Sequence, residues 1–74
     1  MNPLEPLVTT DPLRMGGTPV FAGTRVPVKT LFDHLVDANG LEVFLDDFPT
    51  VTREQALAVI KIAGETVVAN ARAA

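Results

Sequence analysis

Cysteine is missing from the chain, so neither a disulfide nor a thiolate metal site can staple it. No apolar run approaches the ~20 residues of a membrane span. The amino end, Met1-Asn2-Pro3-Leu4-Glu5-Pro6, lacks both the basic and the apolar stretch of a secretory signal. The expectation is a cytoplasmic protein that makes no use of a membrane. Histidine occurs once, at His34, with no second His and no nucleophile at a useful spacing. It reads as a surface or interface residue. A phosphate loop is excluded, because no Gly-Lys-Ser/Thr closes the glycine run at Gly16-Gly17. Asp46 and Asp47 are adjacent and therefore diverge on a helix, so they make no paired-carboxylate site. Nothing assembles a nucleophile, a base and an oxyanion donor; the chain reads as a non-enzyme without a cofactor.

Basic residues are scarce. Six Lys and Arg face nine Asp and Glu, for a net charge of −3. That argues against broad, non-specific nucleic-acid binding. The imbalance is local: Arg14, Arg25 and Lys29 slightly exceed Glu5 and Asp11, whereas Arg53, Lys61 and Arg72 meet seven acids after residue 30. The acidic remainder suits a basic protein partner.

What the chain has in quantity is apolar surface. Of its 74 residues 47% are hydrophobic. A domain this small buries only about 60% of the surface its unfolded chain exposes. Surplus apolar surface on a marginal monomer points to a homodimer.

The segment Gly16-Gly17-Thr18-Pro19-Val20-Phe21-Ala22-Gly23-Thr24-Arg25-Val26-Pro27-Val28 holds three glycines and two prolines. Such a run is a shaped loop rather than a flexible linker. Residues 1–12 read as an irregular arm, with Leu7-Val8-Thr9 as a candidate edge strand. Leu13-Arg14-Met15 and Pro19-Val20-Phe21 read as a hairpin around Gly16-Gly17. Gly23 marks a second turn.

Three helices are expected after it, near residues 28–38, 41–48 and 52–68. Val28, Leu31, Phe32, Leu35 and Val36 form one apolar stripe behind Pro27. Lys29, Asp33, His34 and Asp37 take the wet side, and Asn39-Gly40 stops the helix. Leu41, Phe44, Leu45 and Phe48 repeat at helical spacing, and Pro49 ends that run. Thr52-Arg53-Glu54-Gln55 fits a capping box, with Val51 and Ala56 as its staple. Ala56, Val59, Ile60, Ala63 and Val67 form the third stripe. The expected core is Val28, Leu31, Phe32, Leu35, Phe44, Leu45, Phe48, Val51, Val59, Ile60 and Ala63. The domain should span residues 13–68, with 69–74 as a short extension.

The fold class is therefore mainly α: a three-helix domain with the frame of a helix-turn-helix, preceded by a short β-hairpin. In a DNA reader, the third helix would enter the major groove. Arg53 and Gln55 pair well with base edges, Thr50 and Thr52 suit phosphate, and Lys61 adds a backbone contact. Arg25 and Lys29 are lesser candidates. Equally, Arg53 and Gln55 are ordinary first-turn residues, with Gln55 occupied by its cap. Arg25 either braces its loop against a carbonyl or an acid such as Asp46, or is presented to a partner. In a protein-binding module without DNA contact, Asp33, Asp37, Asp46 and Asp47 would meet a basic partner.

Gly17 to Val28 together with Phe44-Leu45-Asp46-Asp47-Phe48-Pro49 closely resembles the domain-of-unknown-function family 433, from about Asp11 to Ala63. Small members of that family are read as VapB-like antitoxins with a helix-turn-helix, and the resemblance implies a domain of homeodomain-like or winged helix-turn-helix character. The resemblance implies an antitoxin that binds and silences a PIN-like nuclease toxin and represses its own operon by binding operator DNA; a stand-alone transcriptional regulator is the alternative. The chain departs from the family at Ala38, where a Gly is usual, and at Gly40, where a Ser-like cap is usual. Residues 64–74 do not resemble the long disordered toxin-binding tail of many antitoxins. Toxin contact is therefore expected on the folded surface or the amino-terminal arm.

Overall fold

The apolar periodicities translate into three helices behind a two-stranded antiparallel hairpin. The structure, a computed structural model, describes residues 7–10 and 15–73. Strand β1 (Val8–Thr9) precedes β2 (Val20–Phe21), α1 (Val28–Leu35), α2 (Gly40–Asp47) and α3 (Arg53–Ala73).

The hairpin is paired differently from the expectation. Val8 lies opposite Phe21 and Thr9 opposite Val20. The strand thus comes from the proline-rich arm, and Met15 opens a short turn segment, Met15–Gly17, that is kinked at Gly16 with φ 62° and ψ 26°. Leu13 and Arg14 lie outside the described residues. After β2 the chain doubles back. Thr24 N donates to Phe21 O at 3.0 Å, and Gly23 takes φ 78°, the third-position geometry that excludes most side chains. The Thr24 hydroxyl donates to Phe21 O at 2.8 Å and accepts from Val26 N at 3.0 Å. The returning segment closes with Phe21 N on Val26 O and Val28 N on Pro19 O, both 3.0 Å. This ladder explains the glycine- and proline-rich loop: it holds β2 between β1 and the entry to α1.

Pro27 stands just before α1 with φ −64° and ψ 137°, where its missing N–H costs nothing. The helix stops at Leu35, short of the expected residue 38. Val36, assigned to the apolar stripe, is 83% exposed instead. The reason is the tight connection: Asp37 N bonds His34 O at 3.0 Å and Gly40 N bonds Asp37 O at 3.1 Å. Only Asn39 adopts the left-handed conformation, with φ 61°. Gly40 is already helical and buried, and it is needed for a different reason. A Cβ there would overlap the His34 carbonyl.

The core comprises Phe21, Val26, Leu31, Phe44, Val51, Ala56 and Val59. Val28, Phe32, Leu35, Leu45, Phe48 and Ile60 pack against it, as do Leu7, Val8 and Leu41. Ala63 is half-buried outside this cluster. Phe21 and Val26 were absent from the expected core, because a two-residue strand and a turn have no period to read. Helix α3 continues through Gly64, and every residue from Gly64 to Arg72 is exposed. Val67, assigned to the buried stripe, is 67% exposed because no element of the described fold reaches that far.

Candidate functional site

The amino end of α3 gathers most of the sequence-level candidates, and the fold engages two of them internally. Thr52 caps the helix as expected, accepting from Gln55 N at 3.1 Å. The reciprocal half of the capping box is replaced by a longer reach. Gln55 Nε2 donates to Leu7 O at 3.3 Å and to Ala22 O at 3.2 Å. Both amide hydrogens therefore clasp the hairpin to α3, and Gln55 is half-buried. Replacing this donor with an acceptor sets like partial charges against two carbonyls. Gln55→Glu is expected to lower stability at neutral pH by more than Gln55→Ala, which should cost about 1–3 kcal/mol for two lost bonds. Denaturant melts of both variants give the comparison; equal stability of all three proteins would remove the clasp.

Arg53 is engaged across the α2–α3 elbow by Glu42. Its Nη1 and Nη2 donate to the two Glu42 carboxylate oxygens at 2.7 and 2.8 Å. This parallel fork is the strongest geometry available to an Arg–carboxylate pair. Both side chains remain about half exposed, 50% and 59%, so solvent screens the pair and its contribution to stability is small. The hydrogen bonds from Arg53 hold the Glu42 carboxyl below its ordinary value of 4.5. A carboxyl whose folded value is depressed stabilises the fold above its unfolded value, and that contribution disappears as pH falls through the folded one. Glu42→Gln should therefore be less stable than the parent at pH 7, with the gap closing below about pH 4.5. Urea melts at pH 7 and pH 3 measure it. A gap that is constant with pH would assign the difference to something other than ionisation.

The remaining candidates are scattered. Thr50 and Thr52 are exposed around the α2–α3 elbow, and Lys61 is exposed two turns along α3. Arg25 is exposed at the tip of its turn and makes no ion pair or side-chain hydrogen bond among the described residues; neither of the braces considered for it is formed. The Gln55–Ala22 bond nevertheless draws the Arg25 turn toward the first turn of α3. Lys29 is paired along α1 with Asp33, at 2.9 and 3.1 Å. Asp37 and Asp46 are exposed, one after α1 and one late in α2.

His34 sits deeper than a surface residue, its side chain 25% exposed. Nδ1 faces the Thr30 carbonyl at 2.8 Å, and a carbonyl only accepts, so Nδ1 carries a proton. Nε2 points toward Asp47 at 3.8 Å. The ring meets Phe44 and Phe48 edge-on, at 5.6 and 6.0 Å. Its role is to seal the α1–α2 seam. No group of His, Cys, Asp or Glu among the described residues could hold a metal ion. No helix among them is long and apolar enough to cross a membrane.

The chain belongs to the family described as protein of unknown function DUF433, whose sequence model matches residues 8–63. That span runs from β1 through the half-buried part of α3 and leaves out the exposed remainder of the helix. No curated protein and no solved structure matches the chain significantly.

Proposed function

We propose that this DUF433 member works in the cytoplasm by binding a protein, as the antitoxin that silences a PIN-like nuclease toxin. The observation that carries the protein-binding part is the disposition of charge. Arg53 and Gln55, the side chains best suited to base edges, are engaged within the fold, while Asp37 and Asp46 stand exposed on the α1–α2 side with Asp33 and Asp47. Nucleases that grip phosphate backbones are basic where they do so, and exposed acids complement that surface. The nuclease toxin itself is suggested by the resemblance of the Gly17–Val28 and Phe44–Pro49 segments to VapB-like antitoxins.

Co-expression with the product of the adjacent reading frame tests the reading. The expected result is that the neighbour alone stops growth, and that this chain restores growth and co-elutes with it. A harmless neighbour that does not co-elute overturns it.

A second reading, operator binding, has one observation of its own. The hairpin clasp sets the Arg25 turn beside the exposed amino end of α3, with Thr50 and Thr52 at the same elbow. A helix amino terminus with a nearby cation suits phosphate. On this reading Glu42→Gln releases Arg53 and removes a repelling charge, so retention of upstream DNA at low salt should strengthen. Binding should then weaken steeply with added salt.

A further inference from the structure

Helix α3 carries a pattern of which its own fold uses only Ile60, half-buried against the core. Leu57, Ile60, Gly64, Val67 and Ala71 recur at alternating three- and four-residue steps, the spacing of a coiled-coil seam. Leu57 and Val67 are 47% and 67% exposed, and the flanking Val68 is 49% exposed. Gly64 lies in the middle of a 21-residue helix. It has no positive φ, and nothing in its own fold lies within 4 Å of where a Cβ would stand. Glycine weakens a helix interior, so its presence here is unexplained by the monomer. Close approach of another helix explains it.

The charges identify that helix. Glu54, Lys61, Glu65 and Arg72 fall on a single flank of the seam at 3.6 residues per turn. A shallow groove runs along this flank, with Lys61, Gly64, Glu65, Val68 and Arg72 among the residues lining it. None of these four charged side chains makes an ion pair among the described residues. In an antiparallel helix pair each flank meets its own counterpart; in a parallel pair it meets the opposite flank. Here the opposite flank is Ala56, Ala63 and Asn70, which has no charge to offer. Lys61 and Glu65 are equidistant from Ala63, and so are Glu54 and Arg72. A two-fold axis at that position brings each acid against a base of the other copy, twice over.

We propose that α3 pairs antiparallel with α3 of a second copy of this chain, crossing at Ala63–Gly64. Lys61 of each copy then meets Glu65 of the other, and Arg72 meets Glu54. This isologous seam gives the homodimer expected from the chain's size a definite surface. It is independent of the toxin reading, since it leaves the α1–α2 face open.

Sedimentation velocity on the full chain at low salt should give a dimer at micromolar concentration. Lys61→Glu should raise its dissociation constant about tenfold, and the Lys61→Glu/Glu65→Lys exchange should restore it. Both residues are exposed, so circular dichroism should show the fold retained. Because the chain has no cysteine, direction can be read by oxidising a mixture of the E54C and R72C proteins. The mixed disulfide is expected. A monomer at all concentrations, a dimer indifferent to Lys61→Glu, or E54C bridging only to itself would each overturn the proposal.

Discussion

Phe44→Ala is expected to cost this protein about 3–5 kcal/mol, the usual range for emptying a buried aromatic site. Phe44 is fully buried and stands at the centre of the ring cluster. Phe48 lies at 5.2 Å, His34 at 5.6 Å and Phe21 at 5.8 Å, all tilted or edge-on. These contacts join β2, α1 and α2, so the void could not be filled by one side chain relaxing. A small domain has roughly 5–15 kcal/mol in total, and each kcal/mol moves the melting temperature of a domain this size by about 4–8 °C. The variant should therefore melt at least about 12 °C lower, and its near-native helical signal should weaken at 37 °C. Comparison must be made at equal protein concentration, because association also stabilises. A shift under about 4 °C would show that the ring cluster is not the centre of the core.

Gly40→Ala is the second large effect, and two arguments predict opposite signs for it. Helix propensity favours Ala over Gly by about 1 kcal/mol, and Gly40 is helical. Against this, the added Cβ falls on the His34 carbonyl, which is backbone at the end of α1 and cannot swing aside. Overpacking of this kind costs about 1–3 kcal/mol, occasionally more. The upper end applies here, because relief requires the α1–α2 connection to open and the hydrogen bond from Gly40 N to Asp37 O to break. A net loss of about 2 kcal/mol is expected in denaturant melts. Gly64→Ala is the internal control. With open space around Gly64, the same substitution should stabilise the monomer at concentrations too low for dimerisation. If Gly40→Ala were also stabilising, the close approach of α2 to α1 would be wrong.

The two glycines show how far local reading reaches. The Asn39-Gly40 pair marks a helix junction on residue type alone, and the junction is there. Which of the two takes the left-handed conformation depends on what stands behind the other, and that is the carbonyl of a different helix. Pro27 and Pro49 likewise mark boundaries through their own covalent geometry, independent of tertiary context. The Thr52 cap was legible because its hydroxyl and the Gln55 N–H are three residues apart. The other half of that motif was not, because the Gln55 amide found carbonyls far away along the chain, at Leu7 and Ala22. Arg53 reads as a surface cation until the α2–α3 elbow folds and brings Glu42 within hydrogen-bonding distance.

By itself, then, the sequence determined which segments are helical, where each starts to within a residue, and most of the apolar face of α1 and of α2. Those properties follow from backbone sterics, capping and a 3.6-residue period, all acting over one or two turns. It determined family membership through the same short segments. Tertiary structure alone decided that Val8–Thr9 pairs with β2, that Phe21 and Val26 join the core, and that Val36 and Val67 do not. It also decided which of the candidate DNA-reading side chains are engaged within the fold. The pairing of β1 with β2, the place of Phe21 in the core and the engagement of Arg53 and Gln55 each depend on a contact between residues distant in sequence. Such a contact is set by the closing of the whole chain around Phe44, and no local pattern encodes it.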